Sequence, residues 1–121
     1  PQGAETTQMD YEFYPEALEH VIRRVSREFD ANGKKMPIMV TENGIATEDD
    51  TRRVAFIGRA MDGVASCIQS GIPVIGYMYW SLMDNFEWQK GFSMKFGLIA
   101  VDRATQERTP KPSLEFLGKL I

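Results

Sequence analysis

Glu42 is the leading candidate for a catalytic residue in this sequence. It follows a short apolar run, residues 37–41, of the kind typical of a buried strand. In α/β barrels the carboxyl ends of the strands carry the catalytic groups. The Asn43-Gly44 pair that follows favours a sharp turn, which would leave the carboxylate pointing into the mouth of a barrel. Glu42 could instead cap the loop or pair with a cation.

A second candidate cluster follows the other apolar run of the chain. Within nine residues it holds two indoles, Trp80 and Trp88, together with the acids Asp84 and Glu87 and an amide. Sugars present apolar C–H faces and hydroxyl edges, so aromatic rings beside carboxylates and amides are their natural complement. Trp80 and Phe86 could also be core residues. Two tryptophans flanking acids in a loop are harder to explain by packing alone.

Periodic apolar residues predict three helices. The first opens at Tyr14-Pro15-Glu16 and stops at Asn32-Gly33, and the second runs from the Asp49-Asp50-Thr51 cluster to Gly71. The third begins near Pro112. The predicted apolar faces comprise Leu18, Val21, Ile22, Val25 and Phe29 in the first helix, Val54, Ile57, Met61, Val64 and Ile68 in the second, and Leu114, Leu117 and Ile121 in the third.

The remaining segments predict two buried strands, residues 37–41 and 74–80, and a long aromatic-rich loop over residues 81–97. A short extended piece, residues 98–101, and a polar turn region, residues 102–108, follow. Alternating helices and strands indicate parallel strands with helices outside, as in an α/β barrel or a doubly wound sheet. Because two parallel strands leave both edges unpaired, we expect the chain to be a piece of a larger barrel.

The composition excludes several classes of function. The 14 basic and 17 acidic residues give a net charge of −3 without a basic run, so we expect no nucleic-acid partner. No apolar stretch approaches the roughly 20 residues that span a membrane. A single cysteine, Cys67, and a single histidine, His20, predict neither an internal disulfide nor a zinc site. Cys67 is expected to be a small buried side chain and His20 a surface residue.

Two motifs taken together resemble glycoside hydrolase family 1. Thr41-Glu42-Asn43-Gly44 is similar to the nucleophile motif of that family, and Tyr79-Trp80-Ser81-Leu82-Met83-Asp84-Asn85-Phe86-Glu87-Trp88 to its sugar-recognition motif. The resemblance extends from about Met9 to Ile121. It implies a (β/α)8 barrel of which residues 1–121 are the C-terminal segment, with the last two βα units and no internal domain boundary. Further matching segments are Tyr14-Pro15-Glu16, Gly91-Phe92-Ser93, Phe96-Gly97-Leu98 and Arg108-Thr109-Pro110-Lys111.

The resemblance also implies roles for individual residues. Glu42 would be the nucleophile of a retaining β-glycosidase, with a β-glucosidase as the first expectation. Trp80 would stack on the non-reducing sugar, and Glu87 would accept hydrogen bonds from its outer hydroxyl groups. The other residues implied in substrate binding are Trp88 beside Glu87, Asn43 next to the nucleophile, Phe96 as an aromatic wall, and Tyr11, which stands where many members have Trp in the aglycone region.

The resemblance implies that one catalytic group lies outside the chain. A retaining glycosidase needs a second carboxyl group as acid and base. In this family it belongs to an Asn-Glu-Pro motif on the fourth strand, and the sequence has no such motif. The expected partners are therefore a small β-glycoside or oligosaccharide and the remaining N-terminal part of the barrel, in the same or a companion chain.

Some expectations concern alternatives and setting. Glu87 argues against the branch of the family that acts on 6-phospho sugars. The chemistry needs only carboxyl groups and water, so no cofactor is expected. A carbohydrate-binding pseudoenzyme and an inactive barrel fragment are the alternative functions, and the intact Glu42 argues against the first. The lone cysteine and the habit of the family in bacteria indicate a cytoplasmic location.

Overall fold

The computed structural model describes residues 3–30, 33 and 35–120. Helices and strands alternate along the first two thirds of the chain, and a small hairpin and a short helix follow. The elements are α1 (Ala17–Asp30), β1 (Ile38–Asn43), α2 (Asp50–Gln69), β2 (Val74–Tyr79), a 3₁₀ turn (Trp88–Lys90), β3 (Ile99–Val101), β4 (Arg108–Pro110) and α3 (Pro112–Gly118).

Helix α1 forms where its apolar spacing predicts it and begins two residues after the buried Pro15. Ile22 on its apolar face is buried, whereas Val21 and Phe29 are exposed, so the predicted face is wider than the buried one. The predicted stop at Asn32 lies outside the described residues. Gly33 has a φ of 69°, in the left-handed region that favours glycine, and its N–H donates to the carbonyl of Asp30 over 2.8 Å.

Helix α2 has the predicted start and stop. The Asp49 carboxylate accepts hydrogen bonds from the backbone N–H and the hydroxyl of Thr51, at 2.9 and 2.6 Å. The helix closes at Gly71, whose φ of 81° suits a position just past a helix end. The buried Val64 and Cys67 of α2 pack on α1 and on the sheet. The buried Phe56 and Ala60 pack against Ile45 and against Leu18 of α1. The burial of Cys67 agrees with the prediction.

Strands β1 and β2 are parallel and pair from Ile38 opposite Val74 to Asn43 opposite Tyr79, with a register shift after Ile38 and another between Val40 and Asn43. Strand β1 continues two residues beyond the predicted end, so Glu42 lies within the strand rather than after it. The prediction that both strands are fully buried is wrong for this chain. Val40 is buried, but Ile75 is 62% exposed, because within the described residues β1 and β2 pair only with each other.

The hairpin of β3 and β4 was predicted only in part. The sequence indicates an extended piece at residues 98–101, but β4 falls in a polar, exposed stretch that has no apolar alternation. The strand forms because the turn that precedes it is fixed: the Asp102 carboxylate accepts hydrogen bonds from the N–H groups of Ala104 and Thr105, at 2.9 and 2.7 Å. Pairing of Val101 with Arg108 follows from that turn.

Helix α3 begins at Pro112, as predicted, and packs on α2. Leu114 and Leu117 are half-buried, whereas the predicted contribution of Ile121 lies outside the described residues. His20 is exposed, as predicted, and its Nδ1 shares a 2.8 Å hydrogen bond with the Tyr14 hydroxyl. No helix in the described parts of the chain is long and apolar enough to cross a membrane.

Candidate active site

The ends of β1 and β2 form the centre of the candidate site. The backbone N–H of Trp80 donates to the carbonyl of Asn43 over 2.9 Å, which continues the parallel ladder beyond the end of β2. Gly44 then passes very close to Trp80, because a Cβ at position 44 would lie 2.0 Å from the Trp80 carbonyl oxygen. The residues that end the two strands are therefore held side by side, with Glu42 one residue before the junction.

The carboxylate of Glu42 is exposed and makes neither a hydrogen bond nor an ion pair with any residue in the described ranges. The alternative interpretations of this residue, as a loop cap or as the partner of a cation, therefore find no support in the structure. A carboxylate at the carboxyl end of a parallel strand, without a local partner, is available to a ligand.

The side chain of Asn43 is fixed by the neighbouring strand. The Tyr77 hydroxyl donates to Asn43 Oδ1 over 2.9 Å. Burial, with a smaller contribution from the nearby Tyr79, raises the pKa of Tyr77 far above its usual value, so the phenol stays protonated as a donor. The amide oxygen of Asn43 is thus engaged within the protein, and its NH2 group is the part that remains for a substrate. Sequence reasoning missed Tyr77, because nothing local links it to Asn43.

Residues 81–97, here called the aromatic loop, carry the predicted sugar-binding groups. Trp80, which precedes the loop, is 41% exposed, and Phe86 is 59% exposed, so the interpretation of these two residues as core is wrong for this chain. Phe86 packs edge to face on Phe92 with ring centroids 5.4 Å apart. The Arg103 guanidinium lies 4.2 Å from the centroid of the Phe92 ring, which is the geometry of a cation–π contact.

Glu87 and Trp88 lie at the far end of the aromatic loop. The N–H of Glu87 donates to the carbonyl of Gly91 over 2.7 Å, and the Glu87 carbonyl accepts from Lys90 at the same distance. Trp88 is 83% exposed. Both residues lie on the same loop as Phe96, and among the described residues neither makes a hydrogen bond to the Glu42 side chain.

Tyr11 and Phe96, for which the resemblance implies different parts of the substrate, lie beside the same cavity. Both line a cavity of about 160 Å³ that Gly44, two residues after Glu42, also lines. The N-terminal segment that carries Tyr11 is tied to the site by the N–H of Gln8, which donates to the carbonyl of Ala46 over 3.0 Å, and by Gln8 Oε1, which accepts from the N–H of Lys95 over 3.2 Å.

A buried polar network under the loops was not predicted. The Arg53 side chain is 0% exposed, and one of its Nη atoms donates to the carbonyls of Thr47 and Lys95, at 2.5 and 2.6 Å. Its other Nη donates to Asp50, whose carboxylate also accepts the N–H and the hydroxyl of Ser113, both at 2.8 Å. The network thus joins the loop after β1, the aromatic loop and the start of α3.

The helical period contained a signal for this network. Arg53 stands four residues before Ile57 and seven before Ala60, both fully buried, and so lies on the buried face of α2. A buried cation needs partners.

Two buried polar atoms, Arg53 Nε and the Tyr79 hydroxyl oxygen, have no hydrogen-bond partner among the residues described.

Asp50 is expected to make stability depend on acid pH. Burial would raise the pKa of its carboxyl group, but the hydrogen bonds from Ser113 and Arg53 outweigh burial and hold the pKa below its usual value. Because the folded pKa is the lower one, Asp50 stabilises the fold above the ordinary carboxyl pKa and loses this effect as the pH falls through the lowered value. We expect Asp50→Asn to lower the free energy of unfolding at pH 7 by about 1–3 kcal/mol, measured by urea unfolding.

The matched control is Asp62→Asn on the exposed side of the same helix, which should change the free energy of unfolding by less than about 0.5 kcal/mol. The deficit of Asp50→Asn should shrink as the pH falls below roughly 4, the range in which carboxylates take up protons. A deficit of the same size at every pH would show that the charge of Asp50 does not contribute.

Parallel βα units with a carboxylate and aromatic side chains at the carboxyl ends of their strands define an α/β protein that presents its site at the end where such proteins bind ligands. The sequence model for Glycosyl hydrolase family 1 matches residues 2–121, and the chain belongs to that family. Among the residues described, no group of three or more His, Cys, Asp and Glu side chains could hold a metal ion.

Individual relatives agree with this assignment. The chain is 35% identical over 134 residues to the bifunctional β-D-glucosidase/β-D-fucosidase of Bifidobacterium breve, covering 100% of this chain and 28% of that protein. It is also 35% identical over 134 residues to the 6-phospho-β-galactosidase of Lacticaseibacillus rhamnosus, covering 99% and 27%. The solved apo structure of a β-glucosidase, 1317, is 59% identical with a TM-score of 0.89, covering 99% and 29%.

The chain therefore spans less than a third of the length of each of these three proteins. Its fold is a segment of a (β/α)8 barrel, which confirms the predicted fold class and family.

Proposed function

We propose that the chain supplies the nucleophile and part of the sugar-binding site of a retaining β-glycosidase, a β-glucosidase that removes terminal non-reducing β-D-glucosyl residues. The observation that carries this proposal is the position of Glu42. Its carboxylate is exposed, has no ion-pair partner among the residues that the structure describes, and lies near the carboxyl end of β1, where the Asn43 carbonyl accepts a hydrogen bond from the backbone of Trp80. The substrate would be a small β-glycoside or oligosaccharide.

In the proposed reaction a Glu42 carboxylate oxygen attacks the anomeric carbon of the sugar. The bond from that carbon to the leaving oxygen breaks, and a second carboxyl group, about 5–5.5 Å away, gives its proton to the leaving oxygen. The second group then takes a proton from water, the water oxygen bonds to the anomeric carbon, and Glu42 is released. The rest of the barrel, in the same or a companion chain, would supply that second carboxyl group.

The aromatic loop and its neighbours would hold the sugar during these steps. Trp80 would offer its indole face to the C–H face of the ring, and the NH2 group of Asn43 would donate to a sugar oxygen near the nucleophile. Glu87 would accept hydrogen bonds from the outer hydroxyl groups, with Trp88 beside it. Phe96 and Tyr11 would line the cavity next to Gly44.

The charge of Glu87 favours a neutral sugar. A 6-phospho sugar would bring a phosphate dianion toward this carboxylate, and two negative charges a few ångströms apart repel each other. The family includes enzymes of both kinds, since one of the two curated relatives above is a 6-phospho-β-galactosidase and the other a β-D-glucosidase/β-D-fucosidase. We therefore expect a 4-nitrophenyl β-glucoside to be hydrolysed in preference to its 6-phosphate.

The test is to trap the covalent intermediate in the complete polypeptide encoded by the gene. A 2-deoxy-2-fluoro-β-glucoside with a dinitrophenolate leaving group should leave one fluoroglucosyl group on the protein, detected by intact mass and mapped to the peptide that contains Glu42. The Asp62→Asn variant should label equally, and Glu42→Gln should not label at all.

Other outcomes would overturn parts of the proposal. A label on another carboxylate would remove Glu42 from its role, and preference for the 6-phosphate would overturn the choice of a neutral sugar. Glucoside binding without turnover would favour a carbohydrate-binding pseudoenzyme. A hybrid in which this chain replaces the matching segment of β-glucosidase 1317 would show whether these residues support turnover in a complete barrel.

A further inference from the structure

The two ends of the aromatic loop lie against each other. The N–H of Leu98 donates to the carbonyl of Ser81 over 3.0 Å, and the N–H of Asp84 donates to the carbonyl of Ile99 over 2.9 Å. Gly97 has no space for a side chain, since a Cβ there would lie 2.1 Å from the backbone nitrogen of Asp84. The positions of the loop residues between these ends, including Glu87, depend on the contacts that hold the two ends together.

Lys111, at the start of α3, holds the two ends of the aromatic loop together by hydrogen bonds. Its ammonium group donates to both carboxylate oxygens of Asp84, at 3.0 and 3.1 Å, and to the carbonyl of Gly97 at 2.7 Å. The N–H of Gly97 donates to the same Asp84 carboxylate over 2.8 Å. An ammonium group has three donors, so Lys111 uses its full capacity on the two ends of one loop.

This contact is nearly free of solvent, since the side chains of Lys111 and Asp84 are 15% and 6% exposed. An apolar pair of similar volume is often as stabilising as a buried ion pair, because removing two charges from water is costly. What an apolar pair lacks is direction: it cannot fix a carboxylate and a carbonyl at set distances from one point. Stability alone therefore does not account for a lysine here.

We propose that Lys111 is a positioning residue for sugar recognition, which holds the aromatic loop through Asp84 and Gly97 and thereby sets Glu87 against the outer hydroxyl groups of the sugar. This inference rests on the proposed function. Lys111 itself does not touch the sugar, so its effect should appear in the selectivity for those hydroxyl groups.

The experiment compares an aryl β-glucoside with the corresponding aryl β-xyloside, which lacks the outer hydroxymethyl group. It uses the complete polypeptide and normalises each kcat/KM to the sites titrated with the fluoroglucoside. Lys111→Met should lower kcat/KM for the glucoside on the order of 10- to 100-fold, as expected for a misplaced binding group. The xyloside should lose less, so that the ratio of the two kcat/KM values falls at least about threefold.

Three further variants complete the comparison. Glu87→Gln should shift the ratio in the same direction, and combining it with Lys111→Met should add little, because the two changes act through one contact. The double variant Asp84→Asn/Lys111→Met leaves no unpaired buried charge, so it should fold even if the single variant does not, and it should show the same shift. Lys119→Met, at the exposed residue that follows α3, should leave the ratio unchanged.

The outcomes separate the two proposals. If the unaltered polypeptide hydrolyses neither substrate, the proposed function is wrong and the role of Lys111 is wrong with it. If it hydrolyses both, and Lys111→Met and the double variant lower the two kcat/KM values equally, then Lys111 supports only the fold and the inference is overturned.

Discussion

Replacing Glu42 by glutamine is expected to lower kcat/KM for aryl β-glucosides by at least about 10⁴-fold, the loss typical of removing a nucleophile. The amide keeps the size of the side chain but cannot form the ester bond to the anomeric carbon. Because Glu42 is exposed and makes no ion pair in the described part of the chain, the free energy of unfolding should change by less than about 0.5 kcal/mol. Steady-state kinetics and urea unfolding on the same preparation measure both quantities.

The control for this substitution is Asp62→Asn, which removes an exposed carboxylate from α2 at no expected cost in rate. If Glu42→Gln kept a tenth or more of the original kcat/KM, Glu42 could not be the nucleophile. A large loss of stability in the same variant would instead mean that the carboxylate has a structural partner in the complete barrel.

Gly44→Ala is expected to damage both the fold and the site. The new Cβ would lie 2.0 Å from the carbonyl oxygen of Trp80 and 3.0 Å from Cζ of the Tyr79 ring, so the backbone at the end of β2 must move. Forcing atoms into a filled site costs about 1–3 kcal/mol and sometimes more, and we expect about 3 kcal/mol here. A displacement of Trp80 by about 1 Å should also lower kcat/KM by about 10²-fold.

Gly58→Ala provides a matched control with an effect of opposite sign. Gly58 lies within α2, and a Cβ there would lie 3.5 Å from the Phe116 ring, an ordinary contact. Alanine in a helix interior is more favourable than glycine by roughly 0.5–1 kcal/mol, so this variant should be slightly more stable and fully active. If Gly44→Ala and Gly58→Ala had equal free energies of unfolding in urea, the backbone after β1 would be able to accommodate a Cβ at position 44 at little cost.

Much of the fold was predictable because its signals are local. The apolar spacing of α2, its cap at Asp49 and its stop at Gly71 all lie within one segment, and the structure confirms them. Strand β4 has no such signal, because its residues are polar and it exists only through its turn and its partner. The prediction overestimated the burial of β1 and β2. Their apolar residues suit a strand covered on both sides by the rest of a barrel, and this chain contains only a segment of one.

The candidate site likewise contains some residues that local sequence signals predict and others that they do not. Motifs identified Glu42 and the aromatic loop, since these residues are contiguous in sequence. The groups that hold them are distant: Lys111 and Asp84 are 27 residues apart, and Ser113 and Asp50 are 63 apart. No periodicity connects such pairs, although the position of Arg53 on the buried face of α2 indicates that a partner must exist.

The hydrogen bond between Tyr77 and Asn43 limits what a pH–rate profile can contain. Because burial holds the pKa of the phenol far above its usual value, its donor proton is retained on the alkaline side of neutrality. The Asn43 amide therefore keeps one orientation across that whole range. Any decline in rate on the alkaline limb must then report the ionisation of another group, and Tyr77→Phe should leave the pH of its midpoint unchanged.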